Sequence, residues 1–314
     1  MNRRDVKRTG IATACAVAAV MLATLAGCSS STSPSAIVDW FLDATWETLA
    51  DFPNGSYHGA ALEYDGDDSV YALRGWDAPD GEQFWRYDIS TDDWTRLGDA
   101  PFSAFWAASL AYTGGDNLYA FQGNGTEAFY RYTISTDVWD RMADYVETGV
   151  RRTGRSLAWP GGGDYVYGIK GNGEAVFARY SIGGDQWEYL SPVPEPVQFG
   201  GSLSWGGGSR LFATAGDTSF YRYSIGSDAW SAAAPLPGAI HYGSSLCYDG
   251  EGSLFMVQGD TMAGFWRYDI PEDRWETLED TPVEVRPGGA VASDGGAVYA
   301  FPGGGSTDFW AFRP

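Results

Sequence analysis

The segment FWRYDISTDDW, Phe84–Trp94, occurs five times in this chain with small changes. The other copies are FYRYTISTDVW (Phe129–Trp139), FARYSIGGDQW (Phe177–Trp187), FYRYSIGSDAW (Phe220–Trp230) and FWRYDIPEDRW (Phe265–Trp275). Their closing tryptophans are 45, 48, 43 and 45 residues apart. A repeat of this length, rich in aromatic and turn residues, is typical of a β-propeller, in which each repeat forms one blade.

A sixth copy is divided between the two ends of the sequence. FWAFRP, Phe309–Pro314, supplies its first half, and Trp46 in the segment TWETL supplies the tryptophan. The pattern therefore predicts six blades, with Ala44–Leu49 forming the outer strand of the last one. Such a closure leaves no open sheet edge at the seam of the ring.

Each repeat is predicted to form four short antiparallel strands. The first strand carries small residues at alternate positions, which suits the crowded axis of a propeller. The second strand ends on a glycine, the segment beginning FWRY is the third strand, and the tryptophan opens the outer strand. The repeated glycine indicates a backbone position with φ > 0. The six glycines are Gly75, Gly123, Gly171, Gly216, Gly259 and Gly303.

The order of these motifs resembles the kelch repeat. The resemblance rests on the small-residue strand, the second strand ending in glycine and the pattern R-Y-x-I-x-x-x-D-x-W, and it covers residues 44–314. Kelch repeats usually carry a double glycine, whereas here the first glycine is replaced by other residues, such as Arg74 or Lys170. The resemblance implies an all-β fold, a six-bladed propeller over residues 38–314, as a divergent member of the group.

The composition is strongly acidic. The 314 residues include 41 Asp and Glu against 20 Lys and Arg, a formal charge of −21. This charge excludes nucleic acid and anionic membrane surfaces as partners of the folded body.

The first residues have the pattern of an export signal. A basic start is followed by the apolar stretch Ile11–Leu25 and by LAGC, Leu25–Cys28. LAGC resembles a bacterial lipobox, which implies a signal peptide over 1–27, lipidation of Cys28 and a Ser-rich linker over 28–37. We therefore expect an exported protein, lipid-anchored and facing the periplasm or cell exterior. An uncleaved anchor and an ordinary signal peptide are the alternatives.

Several repeated residues are explained by the architecture. Each third strand has an arginine close to a turn aspartate such as Asp92 or Asp137, which predicts a repeated ion pair or blade-to-blade hydrogen bond. The repeated tryptophans are predicted to pack between blades. The Asp- and Gly-rich turns do not have the spacing of a calcium loop. The arginines are Arg86, Arg131, Arg179, Arg222 and Arg267.

A candidate ligand site lies where the copies differ. The residues that precede the first strands, and those before the second-strand glycines, are predicted to meet at one mouth of the central channel. Cations and aromatic rings collected there suit a carbohydrate or a small anionic ligand. The alternative is a plug of side chains and water. The candidate residues are Tyr57, His58, Arg74, Phe105, Trp106, Arg152, Lys170, Gln198, His241, Tyr242 and Arg286.

The sequence favours a binding module over an enzyme. Its expected partner is a carbohydrate, a small anion or another extracytoplasmic protein, and the pattern predicts no cofactor and no metal. The two histidines, His58 and His241, have no evident third ligand for a metal. The alternative is a sugar-active enzyme of mutarotase or lyase type, because six-bladed kelch mutarotases are similar in architecture. Their polar channel residues cannot be matched here one by one.

Overall fold

The structure, a computed structural model, describes residues 44–76, 80–106, 108–123, 126–145, 155–171 and 173–314. Within these ranges the chain forms 24 strands. None of the described segments is a helix long and apolar enough to cross a membrane. Cys28, the predicted signal peptide and Arg152 lie outside the described residues.

The strands form six antiparallel sheets of four. In chain order the first three blades follow β1 (Thr45–Thr48): β2 (Ala61–Tyr64), β3 (Ser69–Leu73), β4 (Phe84–Asp88), β5 (Asp93–Arg96); β6 (Ser109–Tyr112), β7 (Asn117–Phe121), β8 (Phe129–Thr133), β9 (Val138–Arg141); β10 (Arg155–Ala158), β11 (Tyr165–Lys170), β12 (Val176–Ser181), β13 (Gln186–Tyr189). The remaining strands are β14 (Leu203–Trp205), β15 (Arg210–Gly216), β16 (Ser219–Ser224), β17 (Ala229–Ala232); β18 (Ser245–Tyr248), β19 (Ser253–Gly259), β20 (Met262–Asp269), β21 (Arg274–Thr277); β22 (Ala290–Ser293), β23 (Val298–Phe301), β24 (Trp310–Arg313).

The sheets are arranged as a ring. Each first strand contacts the first strands of both neighbouring blades, so that β2, β6, β10, β14, β18 and β22 surround a central channel. The sixth sheet has the order β22–β23–β24–β1, with Trp46 opposite Phe312. The prediction of a six-bladed β-propeller closed by an N-terminal strand is confirmed.

The repeated tryptophans pack between blades, as predicted. The Trp139 ring lies 5.0 Å from the ring of Phe84 in the preceding blade, and Trp187 lies 4.9 Å from Phe129. At the seam, Trp46 lies 4.9 Å from Phe265. The split sixth copy therefore reproduces the contact of the intact copies. Burial of each aromatic ring of this size stabilises the fold by about 1.5–3 kcal/mol.

A polar contact accompanies each of these ring contacts. The Trp275 indole donates to the carbonyl of Ala234 at 2.9 Å, while Asp273 accepts from the N–H of the same Ala234 at 2.8 Å. The Tyr268 hydroxyl holds this carboxylate at 2.5 Å. Asp273 has φ 50, a left-handed conformation that Asp tolerates better than most residues. The D-x-W motif thus holds both polar groups of one linker residue in the preceding blade.

This arrangement corrects the prediction for the third-strand arginines. The turn aspartates are occupied by the tyrosine and the neighbouring linker, and the arginines find other partners. Arg131 donates to Asp140 on the adjacent strand at 2.7 Å, Arg179 pairs with Glu188, and Arg267 donates to Ser253 at 2.9 Å. The pairing with turn aspartates is therefore wrong, because these strand arginines lie beside residues of their own blade.

Serine hydroxyls join the inner strands around the channel. Ser109 accepts from the N–H of Leu157 at 2.9 Å, and Ser156 accepts from the N–H of Leu203 at 3.0 Å. Between blades 1 and 2 the residue at the serine position is Ala61, and the Glu63 carboxylate accepts from the N–H of Tyr112 instead. Each side chain satisfies a backbone group on the inner edge of the next blade.

Candidate functional site

The mouth segments are positioned by the second-strand glycines. Gly259 and Gly303 have φ 75 and 74, so the predicted positive φ is confirmed there. A Cβ atom at Gly259 would lie 2.6 Å from the Tyr242 carbonyl oxygen, and one at Gly303 would lie 2.6 Å from that of Arg286. Any other residue would therefore displace the mouth segment. Positive φ is also found at Gly75, Gly123 and Gly216.

Backbone hydrogen bonds bring the two predicted sets of mouth residues together. In four blades the residue five positions before the inner-strand leucine or valine donates its N–H to the carbonyl of the residue before the glycine. These bonds join Tyr57 to Arg74 at 2.9 Å, Phe105 to Gln122 at 3.3 Å, Gln198 to Ala215 at 2.6 Å and Arg286 to Pro302 at 2.7 Å.

Two aromatic rings meet across the channel at this mouth. Trp106 belongs to blade 2 and Tyr242 to blade 5, which is opposite in a ring of six, and their centroids are 5.0 Å apart. His58 packs 4.2 Å from Trp106, and Phe199 packs 4.5 Å from Tyr242. Both bridging rings also line the channel cavity. The mouth thus has an aromatic floor drawn from four blades.

The aromatic floor continues outward on blade 1 through a residue that the sequence analysis missed. Trp76 is 40% exposed, and its ring lies 4.5 Å from Phe105. Its backbone N–H donates to the carbonyl of His58 at 2.8 Å. The sequence does contain a signal for Trp76. It directly follows Gly75, and the residues before the second-strand glycines are predicted to lie at the mouth.

Two predicted cations are buried and bonded within the protein. Arg74 donates to the carbonyls of Asn54 and Asp80 and lies 4.8 Å over the Tyr57 ring. Lys170 lies 3.4 Å from Glu127, which also pairs with Arg155 at 3.2 Å. These two cations are therefore bonded to groups inside the blades, and their charges are not exposed at the mouth surface.

Three predicted polar residues remain at the surface. Gln198 and Arg286 are exposed, and Arg286 pairs with Glu284 at 3.4 Å. The Nδ1 atom of half-buried His241 lies 3.5 Å from Asp260 and makes no hydrogen bond with the described residues. Arg152, the other predicted arginine, lies outside the described residues.

The floor itself is electrically neutral near pH 7. Burial lowers the pKa of His58 and so favours its uncharged form. Burial also raises the pKa of Tyr242. The charged side chains among the described residues of the mouth lie around this neutral aromatic surface. Among the described residues, no group of three or more His, Cys, Asp or Glu side chains could hold a metal ion.

The fold is similar to solved structures of low sequence identity. A protein of unknown function from Bacteroides thetaiotaomicron VPI-5482 superposes with a TM-score of 0.62 at 13% identity, over 86% of this chain and 76% of that one. The structure of YjhT superposes with a TM-score of 0.64 at 14% identity, over 85% of this chain and 95% of that one. No family model matches the chain, and no curated protein matches it. At such identities the similarity shows the fold alone.

Proposed function

We propose that this propeller is an extracytoplasmic binding module that holds a carbohydrate on the aromatic floor of its channel mouth. The observation that carries the proposal is the contact of Trp106 with Tyr242 across the channel, extended outward by half-exposed Phe105 and exposed Trp76. Clustered, partly exposed aromatic rings with polar groups at their edge are the usual composition of a ligand site.

The distribution of charge favours a carbohydrate over a small anion. Arg74 and Lys170 are committed to internal partners, and exposed Arg286 already pairs with Glu284. The described residues of the floor offer no fixed positive charge to an anion, in a chain of formal charge −21. Gln198 and His241 at its edge suit hydroxyl groups, which both donate and accept hydrogen bonds.

A glycan screen followed by calorimetry on residues 37–314 tests the proposal. We expect Trp106→Ala to weaken binding by more than about 2 kcal/mol, since a central aromatic contact of this kind carries much of the binding energy. Trp205→Ala, at the opposite end of the channel, is the matched control and should bind normally. Unchanged affinity in Trp106→Ala, or equal losses in both variants, would overturn the assignment.

We also propose that Cys28 carries the lipid that anchors the module. The proposal rests on LAGC following the apolar stretch, and on a polar linker after it. Cys28→Ser should move the protein from the membrane fraction to the soluble exported fraction. Membrane association that persists in Cys28→Ser would point to an uncleaved helix.

A sugar-active enzyme at the same mouth is the second candidate. The observation that favours it is the pairing of His241 with Asp260, in which the imidazole Nδ1 atom lacks a hydrogen bond. Such a pair can act as a general base. If it does, His241→Ala should abolish turnover of a bound sugar while weakening its affinity less than Trp106→Ala does. Affinity that depends on the rings, without turnover in the unmodified protein, would support the binding module.

A further inference from the structure

The central channel encloses a cavity of about 480 Å³. It extends from the aromatic floor at Trp106 to the opposite end, where the turns after the inner strands begin. Its wall is mixed: each inner strand contributes a leucine or valine, four strands add alanines, and the remaining positions are largely serines. At that opposite end the cavity is surrounded by five aromatic residues, which we call the aromatic rim: Tyr64, Tyr112, Trp159, Trp205 and Tyr248.

One of the carboxyl groups that line the cavity, that of Glu63, lies on an inner strand. The residues at the position of Glu63 in the other blades are Ala111, Ala158, Ser204, Cys247 and Ala292. One oxygen of Glu63 accepts the N–H of Tyr112 at 2.9 Å, and the described residues give the other oxygen no hydrogen bond. Glu63 lines the cavity, so its second oxygen is available to a molecule inside the channel.

The other acids at the cavity are already used by their own turns. Asp249 accepts three backbone N–H groups, those of Glu251, Gly252 and Ser253. Asp294 accepts the N–H groups of Gly296 and Ala297 and the Tyr299 hydroxyl. All three bonds to Asp249 end on one oxygen and hold that carboxylate in its turn at the entrance, whereas Glu63 is the acid that lies on an inner strand of the wall. These aspartates add negative potential at the entrance.

The remaining titratable groups around the cavity do not neutralise Glu63. Arg155 is the one basic residue among the described residues of the wall, and it pairs with Glu127 at 3.2 Å. Cys247 faces the same space, and burial raises the pKa of its thiol far above neutral pH. Burial likewise raises the pKa of Glu63 to about 8, against the opposing effect of the Tyr112 N–H.

We propose that the channel is a binding site for an organic ammonium ion, with the cationic nitrogen on Glu63 and an apolar body along the wall. A buried carboxyl group in a narrow cavity with an acidic entrance selects positive charge, and the leucine and valine side chains of the inner strands can contact the apolar body. Aromatic rings around the entrance favour the same charge, since cations are attracted to their faces. This site lies inside the channel beyond the aromatic floor, and it does not depend on the carbohydrate site.

Glu63 also has a structural role that a test must separate from ligand binding. Because Ala61 lacks the serine hydroxyl present in blades 2 to 5, Glu63 supplies the acceptor that joins blades 1 and 2. Glutamine can accept the same Tyr112 N–H, but it cannot ionise. Glu63→Gln therefore retains the structural contact and removes only the charge.

Titration calorimetry with hexylammonium, hexanol and hexanoate provides the test. We expect hexylammonium alone to bind, and Glu63→Gln to weaken its binding at least about tenfold with an unchanged melting temperature. Glu251→Gln removes an equal charge from an exposed turn and should bind normally. Equal binding of hexanol, equal affinity in Glu63→Gln, or no binding of hexylammonium by the unmodified protein would each overturn the proposal.

Proton release supplies an independent readout. The empty site is mostly protonated at pH 7, and a bound cation stabilises the ionised carboxylate, so affinity should rise from about pH 6 and level off above about pH 8. At pH 7, binding should release close to one proton, measured from the heats in buffers of different ionisation enthalpy. Absence of this release, with binding retained, would show that Glu63 is not the partner.

Discussion

At the scale of single residues, each D-x-W motif acts on one linker residue of the neighbouring blade. The tryptophan indole donates a hydrogen bond to the carbonyl of that residue, and the aspartate carboxylate accepts one from its N–H. Trp187 and Asp185 bond to Ala143 in this way. The aspartate also adopts the left-handed conformation of its turn, with φ 45 at Asp185. The aspartate therefore determines both the conformation of its turn and the docking of its blade on the preceding one.

Replacement of Asp273 tests this role. Asp273→Ala should lower the free energy of unfolding by about 1–3 kcal/mol, because it leaves the Tyr268 hydroxyl and the Ala234 N–H without their acceptor. Asp273→Asn should recover most of the loss, since asparagine tolerates positive φ and keeps an acceptor oxygen. Urea denaturation measures both variants. Equal destabilisation by Ala and Asn would show that the charge, and not the hydrogen bonding, is what matters.

The same aspartate gives a pH dependence in acid. The Tyr268 hydroxyl and then the Ala234 N–H hold the pKa of Asp273 below its usual range. Its contribution is therefore complete above the unfolded pKa of about 3.9 and disappears as pH falls through the folded value. Asp273→Asn should lose less stability than the unmodified protein on acidification below about pH 4.

The arginine assignment shows what spacing alone cannot predict. Arg131 and Asp137 are close in sequence, but Asp137 accepts from Gly98 of the preceding blade while Arg131 donates to Asp140. Spacing places residues on a blade and does not determine which blade their side chains contact. Likewise the serines were recognised as small residues, whereas their hydroxyl contacts, such as Ser109 with Leu157, depend on the ring geometry.

At the scale of elements, the seam depends on a strand without a hairpin to its partner. β1 pairs with β24 through the register Trp46–Phe312, and Trp46 Nε1 donates to the carbonyl of Glu279 at 3.3 Å. In the other copies, the tyrosine of the third strand bonds to the aspartate two residues before the tryptophan. At the seam these two positions are occupied by Phe312 and Ala44. The seam therefore has the tryptophan half of the D-x-W contact and lacks the carboxylate half.

Truncation tests the contribution of this strand. Deletion of residues 1–49 should lower the melting temperature far more than deletion of residues 1–36, because only the longer deletion removes β1 and exposes β24 as an open edge. Trp46→Ala in the shorter form should cost about 3–5 kcal/mol, typical of removing a packed tryptophan. Equal melting temperatures for the two truncated proteins would contradict the closure.

At this scale the fold was predictable and the chemistry of the mouth only partly so. The spacing of the tryptophans predicted the number of blades and the closing strand, because each blade uses the same contacts. The burial of Arg74 was not predictable, since its acceptor is the carbonyl of Asn54, 20 residues earlier in a loop outside the repeat pattern. The role of Glu63 was not predictable from the inner-strand pattern either, because it depends on the cavity that the closed ring encloses.

At the scale of the whole molecule, the tyrosine–aspartate contacts predict a sharp loss of stability in alkali. Burial, and then the hydrogen bond to an aspartate, raise the pKa values of Tyr87, Tyr132, Tyr180 and Tyr223. A raised folded pKa means that stability is complete below the unfolded pKa of about 10 and falls as pH increases above it.

Ultraviolet absorbance and circular dichroism measure this transition together. Because the tyrosines occur in several blades, we expect their ionisation to coincide with unfolding in one cooperative step above about pH 10. Full ionisation with the fold intact would contradict the prediction.

The seam also determines the order in which the molecule can be completed during synthesis. The Arg313 side chain bonds to Glu47, 266 positions earlier in the chain. The outer strand of the last blade is thus among the first residues of the propeller to leave the ribosome, and its partner is among the last. The sixth sheet therefore cannot be completed, nor the ring closed, until the final strand is present.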